Sequence, residues 1–359
     1  MALKAVPMLE IPALDQVQEV HSFSLSLSSH TPKPVRFAVI GHRGNGMNSL
    51  SSATMRENSI LSFNSAARFP ISYIEFDVQV TRDGVPIIFH DDFILTGNLN
   101  AVYERRVTDL SLEEFLSYGA QREPEAIRSG KPLLRRSAEG NVFDWVVEAE
   151  DPLCTLEEAF LKVDPRLGFN IELKFDDNLE YAEKNLLNTV EIVARLVSTN
   201  AGARPVIFST FQPDAARIIR RIQRDYPVFF LTDGGLKIHG DERRNSLEEA
   251  VKLCVEHGLE GIVSEVRAVL RNPAEVVGIK EANLRLLTYG GLNNTAEVVY
   301  MQHMMGIDGV IVDKVKEMSE AVLSFFGEEG QEAEAEARPN FSEGQLSYLR
   351  KLVAELVRQ

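Results

Sequence analysis

Cysteine is scarce: the chain has two in 359 residues, Cys154 and Cys254, each in a stretch of helical periodicity. Two thiols so placed build neither a disulfide framework nor a thiolate metal site, and both read as reduced cysteines of a reducing compartment. Long hydrophobic runs are missing as well. No stretch approaches the ~20 apolar residues that span a bilayer, and no secretory apolar core precedes the first β-rich run. Basic charge is in the minority, with 38 Lys and Arg against 53 Asp and Glu and a formal charge of −15. That balance excludes a nucleic-acid partner, which selects a basic face. It leaves room for a small anionic substrate, because a local basic pair or a bound metal reverses the sign inside a pocket. There is no Gly-x-Ser-x-Gly elbow, which counts against a serine hydrolase. Gly44-Asn45-Gly46-Met47-Asn48-Ser49 lacks the third glycine of a dinucleotide loop.

What is present falls into four parts. Residues 1–34 form an arm in which Ser22, Ser24, Ser26, Ser28 and Ser29 alternate with apolar residues. It reads either as a transit segment or as a disordered arm. The serines favour the first; Glu10, Asp15, Glu19 and the lack of arginine before Arg36 favour the second. Location is accordingly intracellular, in plastid or cytosol. Residues 35–326 carry the folded body. Residues 327–340 are an acidic, solvated linker, and 341–359 bring Leu346, Leu349, Leu352, Val353, Leu356 and Val357 to helical spacing. That amphipathic helix docks on the body or on a second subunit, which leaves a homo-oligomer open.

Within the body, short β-rich runs alternate with helical patterns. The strand candidates are Phe37–Gly41, Tyr73–Val80, Gly168–Lys174, Pro205–Ser209, Val228–Leu231, Gly261–Ser264, Leu284–Tyr289 and Gly309–Val312. Helical periodicity covers Ser59–Phe69, Leu156–Val163, Leu179–Val197, Asp214–Arg224, Ser246–His257, Pro273–Ala282, Thr295–Met304 and Lys314–Phe325. Eight β/α units predict an α/β fold, a (β/α)8 TIM barrel, with a doubly wound open sheet as the alternative. One run breaks the alternation: Pro86–His90 follows Val80 closely, and Asp83-Gly84 signals a two-residue hairpin turn. A two-residue turn sets His90 opposite Asp77, and a one-residue slip puts that pair on opposite faces. Residues 91–153 fit no β/α unit and read as an insertion after this hairpin, either roofing the site or forming a plain surface excursion. Gly140-Asn141 followed by Val142–Val147 suggests a further hairpin inside it.

The chemistry lies in charged residues at the ends of the apolar runs. Glu75 and Asp77 are two apart on one strand and share a face, and Glu172 and Lys174 do the same on the next barrel strand. Three carboxylates converging at a barrel mouth repel one another. Either a divalent cation resolves this, all-oxygen ligation favouring Mg²⁺ or Ca²⁺ over zinc, or an ion-pair network with Lys174, Arg43 and Arg82 does. His42 follows the first strand and His90 the hairpin, so one can serve as general base and the other as general acid. Arg43 offers a bidentate fork for a phosphate and Lys174 a second positive point. His21, His30, His239, His257 and His303 read as structural or exposed.

Taken together, His42-Arg43-Gly44, Glu57-Asn58-Ser59, Glu75-x-Asp77-Val-x-x-Thr81-x-Asp83-Gly84-x-Pro86-x-x-x-His90-Asp91 and Glu172-x-Lys174 resemble the glycerophosphodiester phosphodiesterases, most closely their plant intracellular branch. The resemblance runs from about Phe37 to Asp313. It implies a β/α barrel that hydrolyses glycerophosphodiesters to sn-glycerol 3-phosphate and an alcohol. It also implies metal ligands at Glu75, Asp77 and Glu172, acid/base histidines at His42 and His90, and phosphate-binding Arg43 and Lys174. The glycerol 2-hydroxyl is then the attacking group. Arg56-Glu57-Asn58-Ser59 stands where the family has Pro-Glu-Asn-Thr, Tyr289-Gly-Gly-Leu-Asn293 where it has Trp-Thr-Val-Asn, and Val312-Asp313-Lys314-Val315 where it has Thr-Asp-x-Pro. None of these departures removes a metal or acid/base position; the missing tryptophan changes a pocket wall. A metal-free phospholipase-like barrel, a phosphodiesterase acting on lipid, and a barrel that binds phosphodiesters without turnover are the other readings.

Overall fold

The computed structural model describes residues 37–48, 54–98, 101–121, 130–137 and 140–326, with isolated positions beyond 343. The arm over 1–34 and the linker over 327–340 lie outside the described residues, as does most of the helix expected over 341–359; those of its positions that are described are helical.

The chain begins with β1 (Ala38–Gly41), then α1 (Ile60–Ala66), the paired strands β2 (Tyr73–Val80) and β3 (Pro86–Ile88), and a segment carrying β4 (Phe93–Asn98), β5 (Ala101–Arg106), α2 (Leu112–Leu116), β6 (Leu134–Arg136) and β7 (Val142–Asp144). Regular alternation resumes with α3 (Leu156–Lys162), β8 (Gly168–Leu173), α4 (Glu183–Asn200), β9 (Val206–Thr210), α5 (Pro213–Ile222), β10 (Val228–Thr232), α6 (Leu247–His257) and β11 (Gly261–Glu265). It ends with α7 (Val266–Arg271), α8 (Ala274–Glu281), β12 (Arg285–Tyr289), α9 (Ala296–Met304), β13 (Gly309–Val312) and α10 (Val315–Phe326).

Eight of these strands run parallel in the neighbour order β1-β13-β12-β11-β10-β9-β8-β2. The pairs Ile40↔Tyr73 and Gly41↔Ile74 return β1 to β2. The sheet therefore closes into a barrel, and the open doubly wound alternative is excluded. The strand period decides which residues face inward. On β2, Ile74, Phe76 and Val78 join the core under the helices, so Tyr73, Glu75, Asp77 and Gln79 turn to the barrel axis. On β8, Phe169, Ile171 and Leu173 pack outward, which turns Asn170 and Glu172 inward. The register sets Glu75 beside Asn170 and Asp77 beside Glu172.

The β2–β3 hairpin differs from the expectation by one residue. Its pairs are Val78↔Ile88, Gln79↔Ile87 and Val80↔Pro86, so Phe89, not His90, lies opposite Asp77 and donates its N–H to the Asp77 carbonyl at 3.0 Å. The cause is the turn. Thr81 N–H reaches Val85 O at 3.0 Å across a three-residue loop that ends in Gly84 at φ +81°; the left-handed residue adds a bulge that a two-residue turn lacks. The Thr81 hydroxyl fixes the loop by donating to the Asp83 carboxylate at 2.7 Å.

The segment between β3 and α3 folds as a four-stranded antiparallel sheet, β5-β4-β6-β7, in which β6 and β7 form the hairpin suggested by Gly140-Asn141. Ile87 and Phe89 share a core with its Ile94, Phe115, Leu133 and Trp145. The barrel hairpin is thus also the floor of the insertion, and His90 leaves the strand at the seam between the two. The helix expected from Leu179 starts at Glu183 instead, because Asp176 holds a loop: its carboxylate accepts the Asn178 N–H at 2.8 Å, and its own N–H donates to the Tyr181 hydroxyl at 2.9 Å.

Candidate active site

Glu75, Asp77 and Glu172 meet at the strand ends, each buried, with ligand oxygens all within 4.8 Å of one another. Among the described residues no other group of acids, histidines or cysteines gathers in this way. Burial together with the charges of Asp77 and Glu172 pushes the Glu75 carboxyl up to about 8, although His42 and Arg43 act the other way. Burial would raise Asp77 too, but His90, Arg43, Lys174 and a hydrogen bond from Asn58 hold it well below the usual carboxylate range. The trio is short of positive charge at one member, and its donors are all oxygen, so the residues fit a hard divalent cation such as Mg²⁺ or Ca²⁺.

The bases divide. Lys174 Nζ lies 2.9 Å from Glu172 and 3.7 Å from Asp77. Arg43 Nε lies 3.4 Å from Asp77, and Nη1 donates to Glu57 at 2.7 Å. Arg82 pairs instead with Glu114 on α2 at 3.3 Å and takes no part in the cluster. Arg43 stands in the left-handed region at φ 49°, unusual for a residue with a Cβ. That conformation aims its N–H at Glu75 Oε2, 3.1 Å away, while its carbonyl accepts the Asn58 N–H at 3.0 Å. Gly44 follows at φ +95°, where a Cβ would lie 2.6 Å from the Ser62 hydroxyl. The glycine lets the turn close onto α1. Asn58 Nδ2 donates to Asp77 Oδ2 at 2.8 Å, orienting that carboxylate.

Both imidazoles are backed by carboxylates. His42 Nδ1 lies 2.7 Å from Asp313 Oδ1, and His90 Nδ1 lies 2.7 Å from Asp91 Oδ1. A carboxylate only accepts, so Nδ1 carries the proton in each ring and Nε2 is left to exchange one. His42 Nε2 sits 3.9 Å from Glu75. Burial, the largest influence, would lower the His42 pKa and Arg43 acts the same way, but the Asp313 hydrogen bond together with the charges of Glu75 and Asp313 outweighs them and raises it above the ordinary histidine value. Asp313 is fixed in turn by Met47 N–H at 3.0 Å and Asn294 Nδ2 at 2.9 Å. His90 is held through its backbone: Gln79 Nε2, from inside the barrel, donates to the carbonyls of Phe89 and Asp91 at 2.9 and 3.0 Å.

All seven candidate residues are brought to one mouth. Six of them line a cavity of about 440 Å³, and Asp77 lies beneath it. The far wall of that cavity includes Phe211, Tyr289 and Asp233; the Tyr289 hydroxyl donates to Asp233 at 2.9 Å and His239 approaches the same carboxylate at 3.0 Å. Three supporting residues escaped sequence reasoning. Gln79 looks like an ordinary strand position, and Arg135 lies in the insertion. Asp313 was visible only as part of a motif departure. Its place after the last apolar run was its sole signal, informative once β1 and β13 are known to be neighbours.

With that geometry in hand, comparison with known proteins is specific. The sequence model of the family described as "Glycerophosphoryl diester phosphodiesterase family" matches residues 42–317. The Arabidopsis thaliana protein named "Glycerophosphodiester phosphodiesterase GDPD1, chloroplastic" is 53% identical over 99% of both chains. A second Arabidopsis protein, "Glycerophosphodiester phosphodiesterase GDPD2", is 53% identical over 99% of this chain and 100% of its own. Among solved structures, a putative glycerophosphoryl diester phosphodiesterase from Silicibacter pomeroyi superposes with a TM-score of 0.61 at 20% identity, covering 81% of this chain and 94% of that one; this likeness bears on the fold.

Proposed function

Because this chain belongs to the glycerophosphoryl diester phosphodiesterase family, we propose that it hydrolyses glycerophosphodiesters, such as glycerophosphocholine and glycerophosphoethanolamine, to sn-glycerol 3-phosphate and an alcohol. The observation that carries this reading is the pairing of two carboxylate-backed imidazoles with one buried acidic trio around a single cavity. Glu75, Asp77 and Glu172 would hold a divalent cation, which would supply stabilisation of the charge that builds on the phosphate. Arg43 and Lys174 hold the remaining oxygens. His42 Nε2 removes the proton from the attacking hydroxyl as the new P–O bond forms. His90 Nε2 delivers a proton to the departing alcohol as the old P–O bond breaks, so proton and leaving group balance. The cyclic ester formed from the glycerol 2-hydroxyl is then opened by water, with the two imidazoles exchanging roles.

A panel of glycerophosphodiesters, read by release of sn-glycerol 3-phosphate in Mg²⁺, in Ca²⁺ and in chelator, tests substrate class and ion together. Release from the soluble diesters that depends on the cation supports the reading; undiminished release in chelator replaces it with the metal-free barrel, cleavage of bilayer lipid alone with the lipid-acting enzyme, and binding without release with the non-catalytic barrel. The chloroplastic relative supports a plastid location, which imaging of the tagged full chain checks.

A further inference from the structure

Arg135, on β6 of the insertion, crosses the seam into the barrel. Its Nη2 donates to Glu57 Oε1 at 2.8 Å and its Nη1 to Glu57 Oε2 at 3.0 Å. Its guanidinium also lies over Trp145, 4.6 Å from the ring centroid, and Nη1 reaches Asn48 O at 3.2 Å. Glu57 is 1% exposed. Its Oε1 accepts Arg43 Nη1 as well, and its Oε2 accepts the Asn48 N–H. One buried carboxylate is therefore clasped between two guanidiniums, one from the insertion and one in the active site.

The count of lone pairs gives this arrangement its consequence. An ionised carboxylate offers about four acceptor sites. Arg135 takes two, Asn48 N–H one, and Arg43 a single N–H. Arg43 consequently meets Glu57 through Nη1 alone, its buried Nε faces Asp77 at 3.4 Å, and the residue stays on the cavity wall. Without Arg135, Glu57 would have one cation left, and the favoured geometry for one guanidinium and one carboxylate is the two-bond fork. Arg43 would turn into that fork and away from the cavity.

We propose that Arg135 is a positioning residue: by occupying half of Glu57 it leaves Arg43 free to bind the substrate phosphate, and so makes the insertion a working part of the anion site. A plain anchor for the insertion would not need this carboxylate; Arg56 does that work with Glu150, at 2.6 Å. This rests on the assignment of phosphate binding to Arg43 in the proposed function.

The test is a double-mutant cycle on the full chain with two readouts: inorganic phosphate binding by calorimetry in Mg²⁺ buffer, and the kcat and KM for glycerophosphocholine. Losing a charge-assisted contact predicts that Arg135→Gln weakens phosphate binding ~10-fold or more and raises KM in step, with kcat much less changed. In a Glu57→Gln background the same Arg135→Gln change should add less than ~2-fold, because the relay is already cut. If Arg135 merely glues the insertion through Trp145 and Asn48, its loss costs the same in both backgrounds, and that additivity overturns the proposal. Should Arg135→Gln fail to fold with Glu57 unbalanced, Arg135→Lys takes its place, keeping charge without the fork. It should weaken phosphate binding while the far-ultraviolet circular dichroism spectrum stays native. Wild-type phosphate affinity in Arg135→Lys would equally overturn it. Calorimetry needs no turnover, so a chain that binds phosphate in an Arg135-dependent way but releases no sn-glycerol 3-phosphate would sink the proposed activity and leave this inference standing.

Discussion

His42 Nδ1 and Asp313 Oδ1 stand 2.7 Å apart, joining the end of the first barrel strand to the end of the last. The contact exists because β1 and β13 are neighbours in register, with Gly41 beside Val312. It binds the imidazole proton to Nδ1, points Nε2 toward Glu75, and raises the His42 pKa. If His42 acts as a base, the acidic limb of the kcat/KM profile should lie above the ordinary histidine range. Asp313→Asn should shift that limb to lower pH, since the neutral amide no longer favours imidazolium. The maximal rate should fall as well. Asn294 Nδ2 already donates to Asp313 Oδ2, so an amide there opposes either Asn294 or the His42 N–H. A limb that stays in place would remove Asp313 from this role.

His42→Ala and His90→Ala should each lower kcat for glycerophosphocholine by roughly 10²–10⁴. The two should part company on a substrate with a good leaving group. A glycerophospho-p-nitrophenyl ester needs little proton delivery, so it should recover much of the activity of His90→Ala and none of that of His42→Ala. Equal recovery in both would reverse or void the acid and base assignments.

Gln79→Leu removes the two donors that hold the carbonyls of Phe89 and Asp91. Leaving buried carbonyls unpaired costs about 1–3 kcal/mol, visible as a lower denaturation midpoint. Because the clamp fixes the backbone on both sides of His90, kcat should fall more than KM rises. A destabilised variant with native kcat would mean that the clamp serves the fold alone.

Much of this arrangement was legible in the residues, and the failures have physical causes. Apolar runs such as Tyr73–Val80 and Gly168–Leu173 gave both the strands and, by their period of two, the shared face of Glu75, Asp77 and Glu172. The hairpin register was not legible, because Asp83-Gly84 suits a two-residue turn and a three-residue loop alike; Gly84 takes its left-handed conformation in the second. His90 still reaches the cavity, since it lies past the last pair of β3, where the slip no longer dictates its side. Contacts between distant segments, Asp313 with His42 and Arg135 with Glu57, depend on which strands adjoin and how the insertion docks. No local pattern encodes either.

Stability should depend on pH in a direction the acidic trio dictates. Glu75 rises from an ordinary 4.5 to about 8, so the cation-free fold binds a proton that the unfolded chain releases. Its contribution is fully present below about 4.5 and is lost as pH climbs through 8; the raised His42 acts in the same sense. The melting temperature in chelator should therefore decline from pH 5 to pH 9. Mg²⁺ or Ca²⁺, which binds the ionised trio, should restore it most at the alkaline end. Asp77→Asn should blunt both the decline and the restoration. A cation effect that does not grow with pH would place the ion elsewhere.

The most direct test is turnover of glycerophosphocholine by the full chain, stripped with chelator and then titrated with Mg²⁺ or Ca²⁺. The trio of Glu75, Asp77 and Glu172 predicts that sn-glycerol 3-phosphate release vanishes on stripping and returns along a saturable curve, which Asp77→Ala abolishes. Release that persists undiminished in chelator, or that returns equally well in Asp77→Ala, would contradict it.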